Sequence, residues 1–312
     1  MTAQETHILT PDFDETSTSS VESLSRVDLE QNRLSNFYFS FLFLPKPKRE
    51  AIETIYAFCR YTDDIVDGAT NAQEKHKRLR QWMDELERSL YGVSTYPILN
   101  KLSTIIKSFN IPLHHFYDLI KGMEMDLRKR RYQTWEELEQ YCYRAASTVG
   151  LICAEVFGYR HPDTKRYAIN LGIALQLTNI MRDVKADAKK GRIYLPQEDL
   201  KAFGYSESEL LRSEYNERFV ALMKFQADRA REYFRTAKQH LHEEDKPFMY
   251  AARTMGFIYF QLLRRIEAVQ YNVFAHRIRI PSVWKLLAAV AFRLRQHVPT
   301  SLVRPISRQL PV

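Results

Sequence analysis

The chain has 312 residues, only 9 glycines and 12 prolines, a formal net charge of +8, and long runs of Ala, Leu, Ile, Glu, Lys and Arg. That length buries a substantial core, and so few turn-formers argue against a many-stranded sheet and for helices. No apolar run approaches the ~18 residues that cross a bilayer, and neither a Walker loop nor a G-x-G-x-x-G is present, so a membrane-spanning protein and the common nucleotide-binding motifs are set aside.

Residues 1–28 are rich in Ser, Thr, Asp and Glu, without the apolar core of a signal peptide or the arginines of a transit peptide, and read as a disordered tail. From about Leu29 apolar positions recur at helical spacing, interrupted at Pro45–Pro47, Tyr96–Pro97, Ile111–Pro112, Gly158 to Asp163, Lys189 to Tyr205, and Asp245 to Pro247. No repeat and no composition shift divides this region, which predicts one all-α domain over residues 29–281. Among its connections, AKKGRIYLPQEDLKAFGYSESEL (188–210) is long and basic, and reads as a lid over the carboxylates just before it. Cys59, Cys142 and Cys153 form no C-x-x-C pair and have no histidines at metal spacing, which suits buried thiols in a reducing cytosol. The pair His114–His115 lacks helical ligand spacing, and no H-E-x-x-H is present.

The basic excess sits at the C-terminal end, where ten Lys or Arg from Arg253 onward face a single acid, Glu267. Residues 282–312 read as a basic amphipathic segment. Val283, Trp284, Leu286, Leu287, Val290 and Leu294 would meet acyl chains, while Arg277, Arg279, Lys285, Arg293 and Arg295 would meet anionic headgroups at ~1 kcal/mol each. A final helix packed on the domain is the alternative reading. The expected location is the cytoplasm or the inner face of the cell membrane.

Two stretches carry the chemistry. In YAFCRYTDDIVD (56–67), Tyr56, Arg60, Asp63 and Asp67 share one face of a helix; in QLTNIMRDVKAD (176–187), Gln176, Asn179, Asp183 and Asp187 do the same. A lone D-x-x-x-D is usually a solvated acidic face. Here apolar residues wrap the rest of each helix, and unpaired buried carboxylates cost several kcal/mol each, so something must neutralise them. Hard divalent cations do this, with waters and substrate phosphates completing their oxygen shell. Arg60, Arg182, Lys189, Lys190 and Arg192 would add positive charge for a diphosphate. With no nucleotide motif, the diphosphate is expected on an apolar substrate, and nucleic acid is not an expected partner.

With those residues in hand, the chain resembles the squalene and phytoene synthases, head-to-head prenyltransferases. The likeness runs from about Leu34 to Pro281 through SNFYFSFLFLP, YAFCRYTDDIVDG, DLIKGMEMDL, YCYRAASTVG, LGIALQLTNIMRDV and GRIYLP. It implies an all-helical, single-domain isoprenoid-synthase fold with a central apolar cavity. It also implies that Asp63, Asp67, Asp183 and Asp187 hold Mg²⁺ (or Mn²⁺), and that Arg60, Tyr56, Gln176 and Asn179 contact the diphosphate, to which Arg182 and Arg192 would add their charge. Asp126 and Tyr141 match further site positions, as does Tyr259 less closely.

The implied reaction joins two prenyl diphosphates through a cyclopropylcarbinyl diphosphate. Geranylgeranyl diphosphate would give phytoene; the alternative, farnesyl diphosphate, would give presqualene diphosphate, dehydrosqualene or, with NADPH, squalene. GRIYLPQEDL and RYTDDIVDG are closer to phytoene synthases, whereas YCYRAASTVGL also resembles presqualene diphosphate synthases. Tyr141 is a candidate proton acceptor, yet a phenol titrates near ~10 and is a poor base at neutral pH, so positioning is its other role. The released diphosphate is a third acceptor. Two departures from the family pattern are Ala186, where Glu is common, and Asn36, where Ser is frequent. A non-catalytic helical lipid-binding or assembly protein is the rival reading, though such a protein would be expected to lose the aspartates. Oligomeric state is left open.

Overall fold

The computed structural model describes residues 36–295; residues 1–35, which include the expected N-terminal tail, and those from 296 onward lie outside them, as do the side chains of Asn36, Phe37, Tyr38 and Arg295. Among the described residues the architecture is helical, with one isolated bridge between Arg131 and Ile193. The short α1 (Asn36–Phe41) precedes α2 (Lys46–Asp67), which starts behind Pro45 and carries Pro47 in its first turn, where no helical N–H is missed. Next come α3 (Ala72–Ser89), capped by Asn71, α4 (Pro97–Ser108) and α5 (His114–Arg128). Thr134 caps α6 (Trp135–Cys142), which passes through a wider π-turn, Tyr143–Ser147, into α7 (Thr148–Phe157). After α8 (Thr164–Lys189) follow α9 (Gln197–Ala202), α10 (Glu207–Leu211), α11 (Glu217–Gln239), α12 (Tyr250–Ala268) and α13 (Ser282–Arg295).

The axis of the bundle is α8, packed against α6, α7, α10, α11 and α12. A helix surrounded in this way needs apolar residues all round, and Tyr167, Ile173, Ala174, Leu177, Ile180, Met181 and Val184 are all buried. Gly172 marks its closest approach, since a Cβ there would lie 2.6 Å from Ser147 Cα in the π-turn. The predicted break at Asp245–Pro247 also serves α8. The fully buried Asp245 accepts hydrogen bonds from the backbone N–H of Arg160 and His161 and from Thr164 Oγ1, fixing the turn that starts the helix.

Two sequence expectations are corrected. Residues 188–210 are not a free lid: α9 and all but the last residue of α10 lie within them, and Ile193, Tyr194, Leu195 and Pro196 are buried. Ile193 and Gln197 donate backbone hydrogen bonds to the carbonyls of Arg130 and Tyr132, so residues 190–196 form a strap tied along 130–133. In α13 the described cations do not flank an interfacial face. Lys285 is buried with its ammonium 5.7 Å from the Phe39 ring centre, and the Arg293 guanidinium lies 5.6 Å from that of Tyr250. The helix packs on α1 and α12 through Ala288, Ala289 and Phe292, leaving Val283, Trp284, Leu287 and Leu294 facing outward. No helix among the described residues is long and apolar enough to cross a membrane.

Candidate active site

Helices α2, α5, α6, α7, α8 and α12 enclose a cavity of about 480 Å³. Its deep walls are apolar or small: Ile52, Ile55, Val149, Gly150, Ala168, Leu171 and Met255 among them. Phe41 and Phe157, ring centres 6.1 Å apart, line the end remote from the carboxylates. Cys59 and Cys153 line this wall partly buried rather than fully so; Cys142 is buried.

The other end is polar. The last turns of α2 and α8 meet there, each presenting helix carbonyl ends, whose partial negative charge favours cations. Gly191, with φ +75°, turns the chain just past α8, and Arg192 N–H bonds back to the Asp187 carbonyl. This turn aims Lys190 and Arg192 at α2, where they donate to Asp67 at 3.0 and 3.3 Å. Tyr56, Arg60, Asp63, Asp126, Tyr141, Gln176, Asn179, Arg182, Asp183, Asp187 and Tyr259 line the cavity itself, while Asp67 and Arg192 sit at its rim, so the structure brings these residues together. Lys189 is the exception among the cations: it faces a neighbouring groove with Lys185, His276, Arg277 and Arg279.

The four aspartates differ in their surroundings. Asp183 is clasped by the guanidinium of the adjacent Arg182. Asp67 is partly desolvated, but its bonds to Lys190 and Arg192 prevail and hold its carboxyl below the usual range. Asp63 is pushed up by burial and by the Asp67 charge, with Arg60 opposing; Arg60 lies 3.1 Å from Asp64 and 3.9 Å from Asp63. Asp187 has no salt bridge among the described residues, and burial followed by the charge of Asp183 pushes it up to about 7. Asp126 is raised by burial, against Arg192 and two tyrosine hydrogen bonds.

The donor set fits hard divalent cations. The candidate ligand atoms are all oxygen, Asp187 has no cationic partner within salt-bridge distance among the described residues, and Asn179 Oδ1 is buried without a hydrogen-bond partner. Among the described residues no three His, Cys, Asp or Glu converge tightly enough to hold a metal on their own. A cation here would therefore draw ligands from both helices, from water and from the diphosphate.

Sequence reasoning missed Tyr194. Its hydroxyl donates to Asp126 Oδ1 at 2.8 Å and lies 3.5 Å from the Tyr141 hydroxyl, which donates to Asp126 Oδ2 at 3.1 Å. Tyr194 lies outside any helix, so periodicity gives it no face; the motif GRIYLP was its only signal.

An all-helical cavity with two acidic helix ends at its mouth is the architecture of an isoprenoid synthase, and comparison with known proteins agrees. The chain belongs to the squalene/phytoene synthase family, whose profile matches residues 31–284, and it is thereby a prenyltransferase. It is 40% identical over 274 residues to the 15-cis-phytoene synthase of Synechocystis sp., covering 84% of this chain and 81% of that one. It is 38% identical over 275 residues to the phytoene synthase of Arthrospira platensis, covering 84% and 89%. Among solved structures, a dehydrosqualene synthase in complex with ligand superposes with a TM-score of 0.76 at 28% identity, covering 90% of this chain and 98% of that one. A squalene synthase from Alicyclobacillus acidocaldarius gives 0.64 at 25% identity, covering 90% and 97%.

Proposed function

We propose that the protein condenses two molecules of geranylgeranyl diphosphate head to head, through a cyclopropylcarbinyl diphosphate, to phytoene, with Mg²⁺ or Mn²⁺ at the mouth of the cavity. The observation that carries this reading is the meeting of two aspartate pairs, from α2 and α8, at one end of a single deep apolar cavity. The likeness to phytoene synthases favours a chain of four isoprene units over one of three. Farnesyl diphosphate is the second substrate to test, because the dehydrosqualene synthase is a close structural neighbour.

Asp63, Asp67, Asp183 and Asp187, with Asn179, are the proposed metal ligands. When bound, divalent cations supply neutralising charge to the leaving diphosphate. Arg60, Arg182, Lys190 and Arg192, now held by carboxylates, are placed to transfer hydrogen bonds to that diphosphate once metal takes up the aspartates. Gln176, Tyr56 and Tyr259 line the cavity just inside and orient the group. The allylic cation left behind faces aliphatic and aromatic walls, which exclude the water that would quench it. A second chain then attacks through its double bond, proton loss closes the cyclopropane, and ionisation of that diphosphate followed by rearrangement and proton loss gives the product. We further infer peripheral membrane work, on the inner face of the cell membrane, through the outward apolar face of α13.

The test is incubation of the purified protein with geranylgeranyl or farnesyl diphosphate, each with and without NADPH, followed by product mass. Phytoene from the C20 substrate without NADPH is expected. A C30 product from farnesyl diphosphate, with the C20 substrate untouched, would replace this reading with the alternative.

A further inference from the structure

Three tyrosines and one carboxylate form a compact group on the cavity wall. Asp126 of α5, Tyr141 of α6 and Tyr194 of the strap all line the cavity. The two phenols donate to different oxygens of the same carboxylate, at 3.1 Å from Tyr141 and 2.8 Å from Tyr194. The rings of Tyr141 and Tyr194 stack at 5.1 Å, and Tyr132 packs against both at 5.5 and 5.8 Å. Tyr141 and Tyr194 are 4% and 8% exposed, so the group is shielded from bulk water while open to a bound chain.

We propose that Asp126 is the terminal base for a proton lost within the cavity, that Tyr141 relays the proton to it, and that Tyr194 is the positioning residue that holds the carboxylate for this task. The proposal rests on the head-to-head condensation. In the proton-transfer step the carbon–hydrogen bond of the cationic adduct breaks and its electron pair closes the new carbon–carbon bond. The proton passes to Tyr141 Oη as the Tyr141 O–H proton moves to Asp126 Oδ2. Tyr141 ends as a neutral phenol and Asp126 as a neutral acid, which gives its proton to the released diphosphate before the next turnover. No phenolate forms at any stage, which removes the objection that a phenol is a weak base. A phenol with one lone pair towards the cavity and its proton on a carboxylate is a general base of the kind that side-chain dyads provide.

Tyr194 acts through Asp126. Its hydrogen bond occupies Oδ1, fixes the rotation of the carboxylate, and leaves Oδ2 as the acceptor for Tyr141. Because the same strap carries Lys190 and Arg192 to Asp67, the base is anchored from the segment that closes the mouth.

Replacement of Tyr194 separates the hydroxyl from the ring. Tyr194→Phe keeps the stack and removes the donor; Tyr194→Leu removes both. We expect Tyr194→Phe to lower kcat about tenfold or more with KM for the prenyl diphosphate unchanged, and Asp126→Asn and Tyr141→Phe to lower it about 10²-fold, the scale of general base catalysis. Tyr194→Phe should also show an increased solvent deuterium isotope effect on kcat, a readout that loss of packing does not move. Circular dichroism and diphosphate binding verify that each variant folds. Wild-type turnover and isotope effect in Tyr194→Phe, with a loss only in Tyr194→Leu, would overturn the positioning role and assign Tyr194 to packing. Wild-type turnover in Asp126→Asn would overturn the relay as a whole. Failure of every variant and of the wild type to make product would instead remove the proposed function.

Discussion

The two aspartate pairs share one spacing, and within each pair one carboxylate is held by a cation, Asp67 on α2 and Asp183 on α8, while its neighbour, Asp63 or Asp187, is pushed up by burial. On α2, Asp67 is met by Lys190 and Arg192 and lies below the usual carboxylate range; on α8, Asp187 has no salt bridge among the described residues and rises to about 7. The cations that hold Asp67 come from the chain immediately beyond the second pair. The spacing of D-x-x-x-D puts oxygens one turn apart, but the turn at Gly191 decides that Asp67 receives two cations while Asp187 receives none among the described residues. The mouth is thus half satisfied by the protein and half poised for an external cation.

The comparison breaks most completely if the aspartates are removed. Asp63→Asn and Asp183→Asn each delete a proposed ligand at nearly constant volume, and turnover should fall at least ~10²-fold, since several kcal/mol of charge stabilisation are lost at about 1.4 kcal/mol per tenfold. Chelation by EDTA should do the same to the wild type, with Mg²⁺ or Mn²⁺ restoring activity and Zn²⁺ doing so poorly on all-oxygen ligands. Steady-state assays of diphosphate release measure both; near-native rates in either variant would remove the metal assignment.

Freeing Asp67 from its cations is a milder perturbation. Lys190→Met and Arg192→Met should each cost about tenfold in kcat/KM, the worth of one charge-assisted hydrogen bond to the diphosphate. If Lys190 and Arg192 only brace Asp67, their loss would instead tighten Mg²⁺ binding and spare turnover, and titration of the metal distinguishes the two.

A third effect is thermodynamic. Asp187 has a folded pKa near 7 and an ordinary unfolded value near ~3.9, so between them the native state holds the extra proton. Stability of the metal-free protein should therefore fall as pH rises from about 4 to 7 through this group, and Asp187→Asn should flatten that part of the profile. Saturating Mg²⁺ with diphosphate should flatten it too, because bound cation stabilises the ionised form. Denaturant melts across that pH range are the check; a wild-type profile unchanged by Asp187→Asn would contradict the assignment.

The smallest effect on chemistry is expected at α13. Trp284→Ser with Leu287→Ser should weaken binding to lipid vesicles about tenfold or more, from the apolar burial lost, while turnover on detergent-dispersed substrate stays unchanged. Arg293→Glu is the poorer probe, since that guanidinium packs on Tyr250. Vesicle flotation equal to wild type would leave the outward face of α13 without a lipid role.

Much of this was legible in the sequence. Helical periodicity and proline breaks located the helices from α2 onward, and two polar stripes in otherwise apolar helices pointed to the site residues that the fold brings together. Periodicity spoke less well where the chain leaves regular helix. Residues 188–210 looked like an open basic loop because Lys189, Lys190 and Arg192 dominate the pattern, whereas the buried Ile193–Pro196 run that ties the strap down is too short to carry a period. Tyr194 was missed for the same reason. In α13 the cations were assigned to the outer face because burial of a lysine against an aromatic ring is invisible in a hydropathy pattern.

The claim that the two unequal aspartate pairs form one site is tested most directly by Mn²⁺ binding, followed by electron paramagnetic resonance with and without inorganic diphosphate. Mn²⁺ should bind tightly only with diphosphate present, and Asp63→Asn on α2 and Asp187→Asn on α8 should each abolish that diphosphate-dependent binding. Mn²⁺ binding that is indifferent to diphosphate, or that survives the loss of either aspartate, would contradict it.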